Sequence, residues 1–587
     1  MKIVFRDKIP DNIDVPFGIY EYDEVLAQHP NYVDLRRIIR ENCWVWLAEI
    51  QESHAYVSSK FLRYTRWWWV TGASRFNIQA WGQEYLFKPL FFSKAVLEWI
   101  KSNSHMTEFY MIRCNPLVGV YLLEFDDNLV LDKGRRYYER LSSLFSTCSR
   151  FILDVLMMLN TTYHVLRHHV FRKNSGIDAE VLIMHESING SSISGRKYFY
   201  GAVFDSLMAV DGKRLSYCCT SLRSANLDNG RGKFLEDQSG FFLLDKIRLR
   251  ELILAMIINV FLIFVAWVVG FSRFPCSIGK SVSKVFWGKY LRNELMLGTC
   301  LINICCYWAL RRIFKESGEK RVILQYEEKG RERAIVMACQ EYGYEVIGYV
   351  CNPMHRTLAA LRDIFKPMAP KPDRYGVCGS GYVDYFVSWG KKGRDSIRIW
   401  GSGKEWTSST KVQKINRSNL RILLLCRHPN ELRVFQSWLR SEKRLSCTVI
   451  YFVRGYKSVG PKAFKRLLKP LMMEFECIKE TDGSLTEDLS LCDIAVFCGT
   501  SAGPLAVKHG YLGIYADLND FFEINACFDE LDLMLPCRSA LEFANRLDEI
   551  CDMDEESLLQ LHDRQKMMAD QLFGAIQRSV LKEDLLC

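Results

Sequence analysis

The sequence predicts an α/β protein with two Rossmann-like domains that face a cleft, and with a mainly helical insert in the first half of the chain. From residue 321 onward, short apolar runs alternate with helical patterns, which is typical of parallel α/β layers. A polar segment over residues 401–419 interrupts this alternation, so one α/β unit precedes it and another follows it. Residues 234–318 have helical patterns, and they form the predicted insert.

The composition excludes several classes of protein. With 587 residues, 49% of them hydrophobic and 25% charged, the chain is globular and long enough for about two to four domains. The net charge of +10 comes from scattered basic residues, and no dense basic stripe suggests nucleic-acid binding. The 21 cysteines include no pair at CxxC spacing, which favours reduced thiols in the cytoplasm over a zinc site or a disulfide framework.

One apolar run of twenty residues, Leu252–Phe271, bears on the location of the protein. A helix of about 20 residues is long enough to span a bilayer, but basic residues flank this run at both ends and give no orientation. A span would separate residues 1–250 from residues 272–587, which we interpret as one enzyme. We therefore favour a buried helix or a peripheral membrane contact through 252–271. We expect the protein to lie in the cytoplasm at the inner face of the membrane.

The alternation of elements predicts the domain boundaries. We expect an N-terminal α/β domain over residues 1–400, a linker over 401–419 and a C-terminal α/β domain over 420–587 with a closing helix. In the C-terminal domain the apolar runs predict strands at Leu420–Cys426, Thr448–Val453, Ile494–Phe497 and Leu512–Ala516.

Two turns of the C-terminal domain are candidate ligand sites, because each follows a buried strand and opens a helix. Ligands of open α/β sheets bind at the carboxyl ends of the strands. Arg427 and His428 precede the predicted helix start at Pro429, and they offer a charge and a donor to a phosphate. At the second turn Gly499 allows a close backbone approach, while Thr500 and Ser501 supply hydroxyl groups. The alternatives are a plain loop at His428 and a Ser/Thr N-cap at the second turn.

A third candidate lies in the first half of the chain. Glu327 ends a predicted strand and Glu332 lies in the first turn of a helix, so either carboxylate could accept the proton of an attacking hydroxyl group. The alternative is that acidic residues favour the first turn of a helix for its dipole alone. Asp552 and Asp554 have the DxD spacing of metal-dependent sugar transferases, but capping of a late helix explains them, and we expect no catalytic metal or cofactor.

These motifs resemble, in the same order, those of bacterial surface carbohydrate biosynthesis proteins with a glycosyltransferase B-type (GT-B) fold. The matching blocks are Arg66–Val70, Phe234–Asp237, Glu327–Ile335, Ile347–Val350, and Thr500–Ala502 with Gly510, Asp517 and Asn525. The resemblance implies an acceptor side in residues 1–400. It also implies a nucleotide site in the C-terminal domain that includes Asp517 and Asn525.

A more distant similarity links His428-Pro429 and Thr500-Ser501 to motifs of bacterial sialyltransferases. It implies a CMP-linked donor whose phosphate contacts His428 and Ser501, with Glu332 or Glu327 as the base. The chain departs from the first family after Val350, where Cys351 and Asn352 replace an expected His-Ser pair.

The leading hypothesis is an inverting, metal-independent glycosyltransferase that moves a sugar from a nucleotide-sugar to a glycan or lipid-linked acceptor. One alternative is a catalytically degenerate GT-B-fold scaffold in a membrane-associated glycan assembly complex, which Cys351 and Asn352 favour. Another is an epimerase, because sugar-nucleotide epimerases share the two-domain architecture. Trp67–Trp69 could stack on a sugar, although we favour a role in the core.

Overall fold

The structure is a computed structural model of the whole chain. It describes residues 2–6, 17–18, 30–70, 108–111, 129–131, 180–185, 202–209, 215–219, 240–270, 299–316, 321–327, 329–351, 369–388, 392–403, 415–426, 429–441, 448–455, 461–481, 483–518 and 528–586, with scattered single residues between 90 and 291.

The described strands form three sheets, and every pairing within them is parallel. The strands are β1 (Lys2–Arg6), β2 (Phe17–Gly18), β3 (Glu108–Met111), β4 (Leu129–Leu131), β5 (Val181–His185), β6 (Leu215–Cys219), β7 (Gly240–Phe242), β8 (Arg321–Gln325), β9 (Glu345–Val350), β10 (Arg374–Val377), β11 (Ile397–Ile399), β12 (Asn419–Cys426), β13 (Thr448–Gly455), β14 (Ile478–Glu480), β15 (Ile494–Phe497) and β16 (Leu512–Tyr515).

Helices connect and cover these strands. They are α1 (Pro30–Leu62), α2 (Ala202–Met208), α3 (Leu249–Gly270), α4 (Thr299–Glu316), α5 (Gly330–Glu341), α6 (Gly381–Ser388), α7 (Pro429–Ser441), α8 (Pro461–Glu474), α9 (Leu485–Ser490), α10 (Ala502–Lys508), α11 (Ala540–Asp552), α12 (Glu555–Leu572) and α13 (Arg578–Leu586). The predicted helical insert over 234–318 is confirmed where the structure describes it, because α3 and α4 account for most of those residues.

The seven-stranded sheet has the order β11-β10-β9-β8-β5-β6-β7. Counted along the chain from β5, its first five strands follow the doubly wound order 3-2-1-4-5. We call the part of the chain built on this sheet the first α/β unit. From β5 the chain adds β6 and β7 on one side of β5, and it then adds β8 on the other side. The direction in which successive strands are added to the sheet therefore reverses between β5 and β8.

The five-stranded sheet has the order β14-β13-β12-β15-β16, which is again 3-2-1-4-5 along the chain. We call the part of the chain built on it the second α/β unit. All four residues of β15 are buried, as are the last five of β12, because helices cover both faces of a parallel sheet. The predicted α/β class with two Rossmann-like domains is therefore confirmed by two doubly wound parallel sheets.

A third, four-stranded sheet, with the order β2-β1-β3-β4, lies in the first 131 residues. From the sequence we predict one domain that contains these residues and everything up to residue 400. The boundaries 1–400, 401–419 and 420–587 stay predictions.

Helix α12 covers the edge of the second unit's sheet. The Gln565 side chain accepts a hydrogen bond from the Gly513 N–H at 2.8 Å and donates to the Gly513 carbonyl at 2.9 Å and the Leu533 carbonyl at 2.7 Å. Gly513 belongs to β16, which is the edge strand of this sheet among the described strands, and past Gly513 an isolated bridge joins Ala516 to Cys537. The fully buried Gln565 amide therefore substitutes for a neighbouring strand.

The last helix, α13, returns to the first α/β unit. Leu581 and Leu585 belong to a buried cluster with β5 and β8 residues such as Ile183 and Ile323. The buried Asp584 carboxylate accepts a hydrogen bond from Trp400 Nε1 at 2.7 Å and pairs with Arg374. The C-terminal segment therefore stabilises the first unit as well as the second.

Two segments of the chain run side by side between the units. The Ser402 N–H donates to the Gly574 carbonyl at 2.9 Å, and the Gln577 N–H donates to the Trp400 carbonyl at 3.0 Å. Gly401 has a φ of +90°, and a Cβ there would overlap the Ala575 carbonyl. Glycine is required at this position both for the backbone conformation and for the close approach of the second segment.

The tryptophan run lies in the core. Trp67, Trp68 and Trp69 are all buried, and Trp68 stacks on Phe61 with ring centroids 4.3 Å apart. This burial confirms the core role over the sugar-stacking role.

The apolar run forms α3, which packs against α4 and α1. Within the part of the chain that the structure describes, no helix is long and apolar enough to cross a membrane.

Candidate functional site

The carboxyl ends of β12 and β15 meet at one edge of the second unit's sheet. The two strands pair in parallel from Ile422 with Ile494 to Leu425 with Phe497. The chain runs from β12 to β13 on one side and reaches β15 on the other, so this edge contains the switch point of a doubly wound sheet. A crevice for a ligand forms at such a point, because the two outgoing loops diverge.

Both predicted turns of the C-terminal domain follow these two strands directly. Arg427 and His428 come immediately after β12, although they lie outside the described residues. The second turn, Cys498–Ser501, follows β15. Gly499, Thr500 and Ser501 are half-buried there, so they are accessible from the crevice edge.

The hydrogen bonds of the second turn distinguish between its two hydroxyl groups. The Thr500 hydroxyl accepts a hydrogen bond from the Ala502 N–H at 3.3 Å. The Ser501 side chain makes no capping hydrogen bond to α10, although Ser501 occupies the N-cap position. The alternative of a simple N-cap therefore does not explain Ser501.

A close approach of helix and strand fixes this turn. A Cβ atom on Gly503 would overlap the Phe497 ring, so the first turn of α10 lies directly on the last residue of β15. In doubly wound folds a glycine at this place permits tight packing of the helix on the strand. The packing holds Gly499–Ser501 at the sheet edge.

Two buried carboxylates lie close to the same edge. Glu431, in the first turn of α7, and Asp517, two residues after β16, are both 1% exposed. Burial raises the pKa of the Cys498 thiol, and the charges of Glu431 and then Asp517 raise it further. Burial raises the pKa of Cys426 as well, with Glu431 as the next cause. These thiols are therefore protonated at neutral pH, which argues against a nucleophilic role.

Sequence reasoning included Asp517 but missed Glu431. In the sequence, Glu431 is visible only as an acidic residue in the first turn of the helix that begins at Pro429. Acidic residues are common at this place because they interact favourably with the helix dipole. Only the strand order brings Glu431 to the crevice edge. Carboxylates at this place can accept hydrogen bonds from ribose hydroxyl groups. The other predicted nucleotide residue, Asn525, lies outside the described residues.

The other predicted pair lies in the first unit, after β8. One Glu332 carboxylate oxygen accepts hydrogen bonds from the Glu327 N–H at 2.6 Å and the Lys329 N–H at 3.0 Å. Glu332 is 6% exposed. These contacts cap the start of α5, so this carboxylate has a structural role there.

Glu327 is more accessible than Glu332. Its carboxylate accepts a hydrogen bond from Gln325 Nε2 at 3.2 Å and pairs with Lys329 Nζ at 3.1 Å. Between the two carboxylates, Glu327 is the better placed to contact an acceptor hydroxyl group. The structure therefore puts the described members of the two predicted sets on different units. Gly499–Ser501 and Asp517 lie on the second unit, and Glu327 and Glu332 lie on the first.

Neither a family model nor a curated protein matches the chain. Solved structures do resemble it. The UDP-GlcNAc 2-epimerase of Neisseria meningitidis, bound to UDP-GlcNAc, is 9% identical with a TM-score of 0.38, over 69% of this chain and 98% of its own. MurG of Acinetobacter baumannii is 11% identical with a TM-score of 0.37, over 69% and 99%. MnaA of S. aureus, in a co-structure with UDP, is 8% identical with a TM-score of 0.39, over 69% and 95%.

Nucleotide-sugar epimerases and a glycosyltransferase of Rickettsia africae are thus among the solved structures that this chain resembles. At these identities and TM-scores, the likenesses assign neither an activity nor a ligand to the chain. The resemblance to surface carbohydrate biosynthesis proteins, and the more distant one to sialyltransferases, stays a prediction from the sequence.

Proposed function

We propose that the chain is a glycosyltransferase of bacterial surface polysaccharide or lipopolysaccharide biosynthesis. The donor is a nucleotide-sugar, and the sequence motifs favour a CMP-linked one. The acceptor is a glycan or lipid-linked precursor at the cytoplasmic face of the membrane. The observation that carries the proposal is the second unit's switch point, where the Gly499–Ser501 turn follows β15 and the buried carboxylates of Glu431 and Asp517 lie close to the same edge. In the sequence, His428 comes two residues after the end of β12.

Each group has a role in this proposal. Arg427 and His428 contact the donor phosphate, together with the Gly499–Ser501 turn. Asp517, Glu431 and Asn525 hold the ribose and base. Catalysis then rests on positioning the donor and stabilising the leaving phosphate, with no metal. Glu327 accepts the proton of the acceptor hydroxyl group.

One observation favours a second candidate, the catalytically degenerate scaffold. The Glu332 carboxylate binds two backbone N–H groups and the Glu327 carboxylate pairs with Lys329, so both predicted bases already have structural contacts.

Thermal unfolding of the full chain with CMP, CDP, UMP, UDP and GDP tests the nucleotide site. A ligand at 100 times its dissociation constant stabilises the protein by about 2.7 kcal/mol. We expect a shift with one base, and we expect His428→Ala to reduce it. If none of the five nucleotides shifts the transition, the proposed site is wrong.

Product analysis with the matching nucleotide-sugar separates the remaining candidates. A transferase releases nucleotide only when an acceptor is present, whereas an epimerase converts the donor sugar without an acceptor. A scaffold binds the nucleotide-sugar and leaves it unchanged.

A further inference from the structure

Helix α3 has two faces that differ in exposure. One face packs against α4 and α1, and its buried residues follow helical spacing: Leu252, Ala255, Asn259, Leu262, Val265 and Val269. The opposite face is exposed, and between Ile253 and Phe264 all of its exposed side chains are apolar. The large exposed apolar side chains of this face are Leu249, Ile253, Leu254, Ile257, Val260, Phe261 and Phe264, each between 39% and 60% exposed. We call this set the outer face of α3.

The polarity of this helix is the reverse of that of a surface helix in water. A surface helix normally points its polar residues outward and its apolar stripe toward the core. In α3 the polar side chain Asn259 is 4% exposed on the packed face, while the outer face carries isoleucine, valine and phenylalanine. An exposed apolar patch of this kind marks a surface that contacts a partner or a membrane.

Basic residues lie at the start of the outer face. Arg248 and Arg250 are both exposed, and Lys246 precedes them. The nearby acid, Glu251, uses its carboxylate to accept a hydrogen bond from the Arg248 N–H at 2.7 Å. The charge around this end of the helix is therefore complementary to an anionic surface.

We propose that the outer face of α3 docks the protein onto an anionic lipid bilayer. The helix lies in the plane of the interface, with its outer face among the lipid chains and Arg248 and Arg250 at the headgroups. Its packed face stays on the protein. A second copy of the chain is a poorer occupant, because a self-complementary contact would need acidic groups to pair with these arginines.

Co-sedimentation of the full chain with vesicles tests this proposal and involves no nucleotide, so its outcome is independent of the proposed function. We expect binding to vesicles of phosphatidylglycerol and phosphatidylcholine, and weaker binding to phosphatidylcholine alone. Arg248→Gln with Arg250→Gln should weaken binding about 30-fold, because each basic residue near an anionic surface contributes about 1 kcal/mol.

A matched pair of triple variants tests the apolar contact. Ile257→Ser, Val260→Ser and Phe264→Ser together should weaken vesicle binding at least about 100-fold, because each side chain loses its transfer from water. Leu559→Ser, Met473→Ser and Met567→Ser change exposed apolar residues of the second unit, and this variant should bind like the parent. Far-UV circular dichroism verifies that both triple variants are folded.

Three results would overturn the proposal. One is an absence of binding to either vesicle. Another is a dimer of the parent chain, seen by light scattering without lipid, that the α3 triple variant dissociates. The third is a chain that stays in cell membranes after extraction with alkaline carbonate, because a peripheral contact is released by that treatment and a spanning helix is not.

Discussion

The two α/β units repeat one strand order but differ at the edge where a ligand would bind. In the second unit, the switch point between β12 and β15 is bordered by half-buried Thr500 and Ser501. In the first unit, the corresponding point between β5 and β8 is followed by a carboxylate, Glu332, that caps the next helix. In our proposal the second unit uses this backbone geometry to bind a ligand, whereas the first unit uses it to cap a helix.

The two edges indicate that strand order fixes where a crevice lies, and that the hydrogen bonds of individual side chains decide how it is used. At the second edge the Ser501 side chain does not cap its helix, although its position would suit that role. At the first edge the two backbone N–H groups bound to Glu332 account for its position. The predictions below test each side of this comparison.

The largest effect is expected at the second unit's edge. Gly503→Ala places a Cβ in the Phe497 ring and should lower the free energy of unfolding by about 2–3 kcal/mol, because the core cannot accept the added volume without shifting. Gly393→Ala is the matched control, since no atom lies within 4 Å of its added Cβ. Denaturant unfolding of both variants measures the difference, and equal stabilities would contradict the close approach.

A smaller effect is expected at the first unit's edge. Glu332→Ala removes the acceptor of two backbone N–H groups and should lower the free energy of unfolding by about 1–2 kcal/mol. Glu327→Ala should cost about 0.5 kcal/mol or less, because its ion pair is partly exposed. If Glu332→Ala unfolds like the parent but abolishes turnover, Glu332 is the base and the capping account is wrong.

The pH dependence of stability tests the buried histidines of the second unit. Burial lowers the pKa of His509 and of His562 from the usual 6.5. As the pH falls, these two histidines are protonated in the unfolded chain before they are protonated in the folded chain. The free energy of unfolding therefore decreases as the pH falls below about 6.5. The slope is at most about 1.4 kcal/mol per pH unit for each histidine. Unfolding at pH 7.5 and 5.5 measures it, and His509→Gln should reduce the slope; an unchanged slope in this variant would exclude His509 as a cause.

Sequence patterns predicted the second unit well because its strands are short apolar runs bounded by turns. The predicted strand Ile494–Phe497 has the observed bounds, and Leu420–Cys426 differs by one residue at its start. The strand β14 was missed, because only Ile478 of its three residues is buried and its pattern is too short to detect. Sequence patterns therefore predicted the strands whose consecutive residues are buried, because such burial requires an apolar run.

The features that the sequence did not predict depend on contacts between distant residues. Nothing near Gln565 in the sequence indicates that its amide pairs with Gly513, 52 positions away. Glu431 resembles any acid in a first helical turn until the strand order places it beside Cys498. The return of α13 to the first unit is likewise set by Asp584 and its distant partner Trp400.

Calorimetric titration of the full chain with a nucleotide tests directly whether the second unit's crevice is the nucleotide site. The nucleotide selected by thermal unfolding is titrated into the parent, into the double variant Thr500→Ala and Ser501→Ala, and into Ser490→Ala as a matched exposed control. We expect the double variant to bind about 100-fold more weakly, since each lost hydrogen bond to a phosphate contributes about 1.5 kcal/mol, and the control to bind like the parent. Equal affinity in all three proteins would show that the nucleotide does not contact the Gly499–Ser501 turn.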